Sequence, residues 1–312
     1  MTPTHRLPLL LIIILGGLSA CPGNQTAPPG PIKSLGPLGS MQSAMVCTSG
    51  ACAQDTNAAH AAVVFITMNM SAGQASCSGT LAASNVVITA GHCVSQENSS
   101  ALISANNIDV YFGNSCAQCM YGSCSCTHSA VTAVHRHPSY DYTGPLNDVS
   151  VLIIASKPSS VTPIPMLPYA SAGSIAASTT VEFSGFGVDN SLQNSGVKLH
   201  ATNTLNGVCN SSNGCGSMSG IPIEPWVIWY DENPGGPCSG DSGGPAFWKD
   251  GTGKEYVIAA TSYGDQNCQY MGTSTFLPHF ANPSGDNFLL SYVGAGYANG
   301  HACTGAADCT NG

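Results

Sequence analysis

The sequence predicts an all-β protein built of antiparallel barrels, and three observations lead there. Charged residues make up only 7% of the 312 positions. Gly, Ser, Thr, Asn and Pro recur throughout, and the apolar segments between them are short. Brief apolar runs separated by turn residues are what strands joined by tight connections look like, and this turn density leaves no room for long helices. Strands are expected at 61–67, 86–89, 109–112, 130–135, 149–155, 180–183, 197–204, 227–230 and 256–262. The length suits one folded unit with short appendages, because all-β chains of this size commonly count as one domain.

The ends of the chain read differently. Arg6 precedes an apolar stretch, Leu7 to Leu18, that is too short for a confident membrane span and has the form of a signal-peptide core. Residues 1–20 are therefore expected to be a signal peptide. The stretch ends Leu18-Ser19-Ala20-Cys21, which is similar to a bacterial lipobox, and Cys21 is the expected lipidation site, giving membrane association and a place in the cell envelope. The alternative is simple secretion with Cys21 discarded. Residues 21–46, rich in Pro, Gly, Ser and Ala with almost no charge, read as a disordered tether. The main folded domain is expected over 47–300, and 301–312 is expected to be a tail holding Cys303 and Cys309.

Composition also excludes. A formal charge of −9 with two arginines leaves no basic stripe to displace counterions from a nucleic-acid backbone. Fifteen cysteines point to an oxidising compartment, and with Cys21 lipidated the fourteen that remain can all pair. Cys116, Cys119, Cys124 and Cys126 crowd one loop. A zinc reading, with His128 nearby, competes there with a disulfide reading, and export favours disulfides. Cys209 with Cys215 is expected to be a local bridge.

Function is carried by Gly240-Asp241-Ser242-Gly243-Gly244-Pro245, which puts a serine on a glycine-flanked turn. A serine hydroxyl attacks poorly unless an imidazole takes its proton, and a buried carboxylate must fix that imidazole's tautomer. Of nine histidines only His92 lies in the run Thr-Ala-Gly-His-Cys, and Asp148 opens the apolar run 149–155, with Asp141 its nearest competitor. The candidate catalytic residues are thus His92 as base and acid, Asp148 as its orienting group and Ser242 as nucleophile. The Gly240 and Ser242 N–H groups are the candidate oxyanion hole.

These segments resemble the trypsin/chymotrypsin-like serine protease family, and the order His, Asp, Ser is that of the family. Further segments carry the likeness: Cys77-Ser-Gly-Thr-Leu81, Asn85 through Cys93, His137-Pro138-Ser139-Tyr140, Phe183-Ser-Gly-Phe-Gly187 and Thr261-Ser262-Tyr263-Gly264. The match spans roughly 63–293. It implies two six-stranded antiparallel Greek-key barrels with the active site between them, and it allows a short C-terminal helix. It also implies disulfides Cys77–Cys93 and Cys238–Cys268. Ser262, Tyr263 and Gly264 would border the substrate cleft, with Ser262 bonded to Asp148. The floor of the specificity pocket falls on Gly236, with Gly264 and Gly272 on its walls. No carboxylate stands at these positions, so an apolar or aromatic residue is expected at P1, with Asp231, Glu232 and Asp265 the acids in reach.

The implied activity is that of a monomeric serine endopeptidase acting on proteins or peptides without cofactor or metal. An inactive protease fold used as a binding or adhesion module and an esterase with the same triad are the rivals. One departure concerns activation. Family zymogens pair a new Ile-Val-Gly-Gly-like terminus with the aspartate before the nucleophile, here Asp241. No such start with a preceding basic residue occurs before Ala61. Arg136 is the candidate substitute partner.

Overall fold

A computed structural model describes residues 33–34, 45–47, 52–97, 99–188 and 195–294. The expectations for the signal segment, for Cys21, for Cys303 and Cys309 and for most of the tether lie outside those residues. The first half is a closed barrel. Its strands are β1 (Val63–Met70), β2 (Gly73–Ala83), β3 (Val86–Thr89), β4 (Ile108–Phe112), β5 (Thr127–Arg136) and β6 (Ser150–Ile154), and they close in the order β1-β2-β3-β6-β5-β4. In β4 the buried residues Ile108, Val110 and Phe112 alternate with half-buried ones, the period-two pattern of a strand with one face on the core. Along β1 six successive residues are buried, because one face fills the barrel and the other meets the second half.

The second half is an antiparallel sheet. Its strands are β7 (Thr180–Gly185), β8 (Leu199–Thr204), β9 (Gly207–Cys209), β10 (Val227–Tyr230), β11 (Pro245–Lys249), β12 (Glu255–Gly264) and β13 (Gly272–Phe276). They follow the order β9-β10-β13-β12-β11-β7-β8, with Ala53–Gln54 added beside β8. Their inner faces enclose a separate core in which the Phe183 and Tyr230 rings lie 4.5 Å apart. This is the two-barrel, all-β architecture expected from the sequence, and a short helix, α1 (Leu290–Val293), follows it. Strands β2, β9, β11 and β13 were not expected: β2 and β13 are rich in Gly, Ser and Thr rather than in apolar runs, and the apolar stretches of β9 and β11 are short.

Two pieces of the expected tether pair with this body. Lys33–Ser34 runs antiparallel to Tyr263 and Gly264, and Val46–Cys47 runs antiparallel to Gly235–Gly236. Met45 is fully buried and its N–H bonds Val188 O at 2.9 Å. The tether boundary at residue 46 is corrected accordingly. Main-chain pairing of two residues needs no side-chain pattern, so composition could not reveal it.

The halves are held together by a buried polar bridge as well as by the Phe65–Phe186 contact at 5.5 Å. His60 is inaccessible to solvent, with Nδ1 2.7 Å from Asp55 and Nε2 3.1 Å from Glu255. Its ring stacks on Phe247 at 4.4 Å. Burial opposes the imidazolium, but bonds to Asp55 and Glu255 outweigh it and bring the pKa to about 9. The raised value means the bridge stabilises fully below about pH 6.5, the free-imidazole value, and that this contribution is lost as pH rises through about 9. Replacing His60 with Gln in an inactive Ser242→Ala background is expected to cost about 3 kcal/mol at pH 6. The deficit, read by denaturant unfolding, should shrink towards pH 10.

Candidate active site

Ser242 is placed by close approach of backbone to backbone. Its carbonyl accepts the Ser78 N–H of β2 at 2.8 Å, and the Gly243 N–H bonds Thr261 O of β12 at 2.8 Å. Gly243 has φ +76°, and a Cβ there would meet Ser78 O at 2.6 Å and Ala90 N at 2.7 Å. Only glycine lets the loop sink this far between the barrels. Across it lies the segment bearing His92, pinned to β2 by the Cys77–Cys93 disulfide. Cys238–Cys268 ties the other end of the nucleophile loop to the connection between β12 and β13. Both disulfides implied by the family resemblance are therefore present. Cys116–Cys126 and Cys119–Cys124 pair all four thiols of the crowded loop, and Cys209–Cys215 forms as expected. Cys47–Cys52 is a further bridge.

His92, Asp148 and Ser242 are 6%, 1% and 0% exposed. Asp148 Oδ2 lies 2.8 Å from His92 Nδ1, and Asp148 Oδ1 accepts the His92 N–H at 2.8 Å. Ser262 donates to the same Oδ2 at 2.6 Å. Burial raises the cost of the Asp148 charge, but the His92 charge and the bonds from His92 and Ser262 overcome it and hold the carboxyl below its ordinary value. Nδ1 is committed to Asp148, which fixes the orientation of the ring. Asp141 instead caps its own turn through Thr143. The Ser242 hydroxyl is buried and has no hydrogen-bond partner.

Gly240 has φ +89°, and a Cβ there would meet Gly187 Cα at 2.9 Å. Among the described residues neither the Gly240 nor the Ser242 N–H bonds another group. Two uncommitted donors beside a buried hydroxyl are the makings of an anion site. Asp241 between them turns away, accepting from Gly187 N at 2.8 Å and Cys238 N at 3.0 Å. Burial pushes its pKa up to about 7 against the pull of those two bonds. Arg136 does not serve it. The guanidinium bonds Ser95 Oγ at 2.6 Å and Ser100 O at 2.8 Å in the first barrel.

The trypsin family model matches residues 47–283. The chain belongs to the trypsin family. Among characterised members it is similar to Trypsin alpha of Drosophila erecta, 28% identical over 179 residues that make up 55% of this chain. The match spans 63% of that relative's length.

Seen as a trypsin-family pocket, the region around Gly236 holds a group the motif positions do not supply. A Cβ built on Gly236 falls onto Glu232 Oε2, and one built on Gly272 falls onto Glu232 Oε1 and the Tyr230 ring. Of the three acids within reach of the pocket, Glu232 is the one that enters it. Asp265 is wrapped by the N–H groups of Asn267, Gln269, Tyr270 and Met271, and Asp231 caps Asn233. The carboxyl of Glu232, one of the three acids expected within reach, lies in the side-chain space of Gly236 and Gly272. Glu232 lies on a connection outside every recognised motif, and the sequence marked it only as one of three acids in reach of the pocket. Tyr263 is buried, its hydroxyl donating to Pro222 O and accepting from Glu224 N, and the Tyr263–Gly264 main chain pairs with Lys33–Ser34.

Ser262→Ala is expected to lower stability by about 2 kcal/mol, since it removes a hydrogen bond to a buried charge. Chemical denaturation near neutral pH checks this. The loss should vanish in an Asp148→Asn background if the bond acts through that carboxylate.

Proposed function

We propose that the chain is an exported serine endopeptidase that hydrolyses peptide bonds through an acyl-enzyme. The observations that carry this reading are the hydrogen-bonded chain Ser262–Asp148–His92 and the buried Ser242 hydroxyl, which has no hydrogen-bond partner and lies beside two N–H donors that bond no other described group. Ser242 Oγ attacks the scissile carbonyl while His92 Nε2 takes its proton. Asp148 keeps the proton on Nδ1 and stabilises the imidazolium. The oxyanion is received by the Gly240 and Ser242 N–H groups, whose positions are set before reaction by the loop. His92 then protonates the leaving amine, and water repeats the cycle to free the acid. Ser262, Tyr263 and Gly264 offer main-chain groups to the peptide. The reaction requires no cofactor.

Selection at P1 is read from Glu232 rather than from the bare glycines: a carboxyl lying against Gly236 and Gly272 favours a Lys or Arg side chain there over an apolar one. The proposed location is outside the cytoplasm, with Cys21 lipidated at the cell envelope and the protease acting as a monomer. Six disulfides fit such a compartment. Two acyl chains on one cysteine meet the usual requirement for stable anchoring.

A fluorophosphonate should label the parent protein on Ser242, and Ser242→Ala should take no label and show no peptide hydrolysis. Asp148→Asn should lower kcat by about 10⁴-fold, the scale set by losing the correct tautomer in a protease of this arrangement. A parent that neither labels nor cleaves would make the fold a binding module, and turnover of simple esters without peptides would make it an esterase. For Cys21, intact-mass analysis in a bacterial host competent for lipoprotein processing should find a lipid-modified first residue, lost in Cys21→Ser.

A further inference from the structure

Ser78 stands second in the run Cys77-Ser-Gly-Thr-Leu81, and its side chain is fully buried on β2. Its Oγ accepts the Phe186 N–H at 2.9 Å and donates to Gly240 O at 3.0 Å. Its main-chain N–H meets Ser242 O at 2.8 Å, and its carbonyl accepts from Thr89 Oγ1 at 2.8 Å. One residue of the first barrel thus reaches both the segment after β7, at Phe186, and the nucleophile loop, at Gly240 and Ser242.

The peptide that the hydroxyl holds has a particular place. A peptide unit is planar and trans, so its N–H and C=O point in opposite directions. The Gly240 N–H shares a unit with Ser239 O, which accepts the Val188 N–H at 3.1 Å, and the Ser242 N–H shares one with Asp241 O, which accepts the Gly244 N–H at 2.8 Å. Each donor of the candidate oxyanion hole is therefore aimed by a bond on the far side of its own unit. A third unit, Gly240 C=O with Asp241 N–H, joins these two. Its N–H turns back on Cys238 O at 2.9 Å within the loop, and its C=O is held from β2 by the Ser78 hydroxyl. Gly240 has φ +89°, a conformation that glycine permits without enforcing, so the restraint on this unit has to come from outside it.

We propose that Ser78 is a positioning residue of the oxyanion hole: its hydroxyl fixes the peptide between the two donors and so sets the angle at which they converge. This rests on the protease reading above and deepens it. A hydroxyl has one proton to give, and the Phe186 N–H on its oxygen leaves that proton directed at Gly240 O. Without it, the buried Gly240 carbonyl loses its donor from β2, and the joining peptide turns to find another. Turning it swings the units on both sides, because they share its flanking Cα atoms. Both donors then lose their aim, while His92, held through Asp148, keeps its own. The cost falls on the charge that develops in the transition state and spares the binding of the peptide in its ground state.

The test compares Ser78→Ala with the parent, active sites being counted by fluorophosphonate labelling carried to completion. In the variant kcat should fall roughly 10-fold, short of the 10²–10³-fold that follows outright loss of a donor, with KM little changed. Two inhibitors of one peptide sequence separate aim from structure. A peptide boronic acid, whose tetrahedral adduct on Ser242 puts an oxygen in the hole, should bind more weakly by a similar factor. A reduced-bond peptide, with a methylene in place of the P1 carbonyl, should bind as before. Ser129→Ala, which removes a buried hydroxyl from Ser156 O in the same barrel, should leave every one of these values unchanged. An unchanged kcat in Ser78→Ala, or equal losses for the two inhibitors, overturns the proposal and leaves the protease reading standing. So does a Ser78→Ala chain that takes no label while Ser129→Ala does, since the hydroxyl would then serve the fold and not the aim. A parent that neither labels nor cleaves overturns both.

Discussion

The Asp148 carboxylate is the interaction on which the arrangement of the two barrels depends. A charge this deeply buried costs several kcal/mol unless donors surround it, and the donors come from both halves of the chain. His92 contributes a ring nitrogen and a main-chain N–H from the first barrel, and Ser262 contributes a hydroxyl from the second. Thr275 of β13 holds the Asp148 carbonyl at 2.9 Å. Separating the barrels would strip the Ser262 hydroxyl from the carboxylate and Thr275 from its carbonyl, leaving only the His92 donors, so the bond that completes the anion's shell also resists opening of the cleft. Alignment and cohesion are one property here.

The disulfides divide by what they enclose. Cys77–Cys93 and Cys238–Cys268 close separations of 16 and 30 residues on either side of Ser242. On a chain-entropy view each removes about 3 kcal/mol of freedom from the unfolded chain. The other four close separations of 5 to 10 residues and stiffen loops locally. The two longer links also make the nucleophile loop a rigid insert between β2 and the β12–β13 connection, which suits donors that must be aimed before the reaction begins.

Much of the site was legible because its chemistry constrains neighbours in sequence. A glycine on each side of Ser242, and a small residue before His92, are needed for the backbone approaches seen at Gly240 and Gly243. Strands with alternating or continuous apolar residues, such as β3 and β10, were equally plain. What escaped was set by distance. β2 carries Gly, Ser and Cys because the nucleophile loop presses on it, so its composition follows from a partner more than 160 positions away. His60 escaped and Glu232 was no more than one of three acids in reach, because both are single polar residues in unremarkable surroundings and nothing local distinguishes a buried polar side chain from an exposed one. Only the packing that removes water from them gives them a role.

Lys33 and Ser34 lie antiparallel to Gly264 and Tyr263, the edge beside Ser262. An exposed sheet edge offers unpaired main-chain groups to any extended peptide, and at these two positions the protein meets that demand from within. The contact is small, and its influence comes from connectivity. A rival held on the same chain acts at an effective concentration on the order of millimolar, whatever the amount of protein in solution. Dilution therefore does not free the edge. An incoming peptide gains it by outcompeting an intramolecular occupant, and a single cut in the chain between residues 34 and 45 would turn that occupant into a ligand that diffuses away.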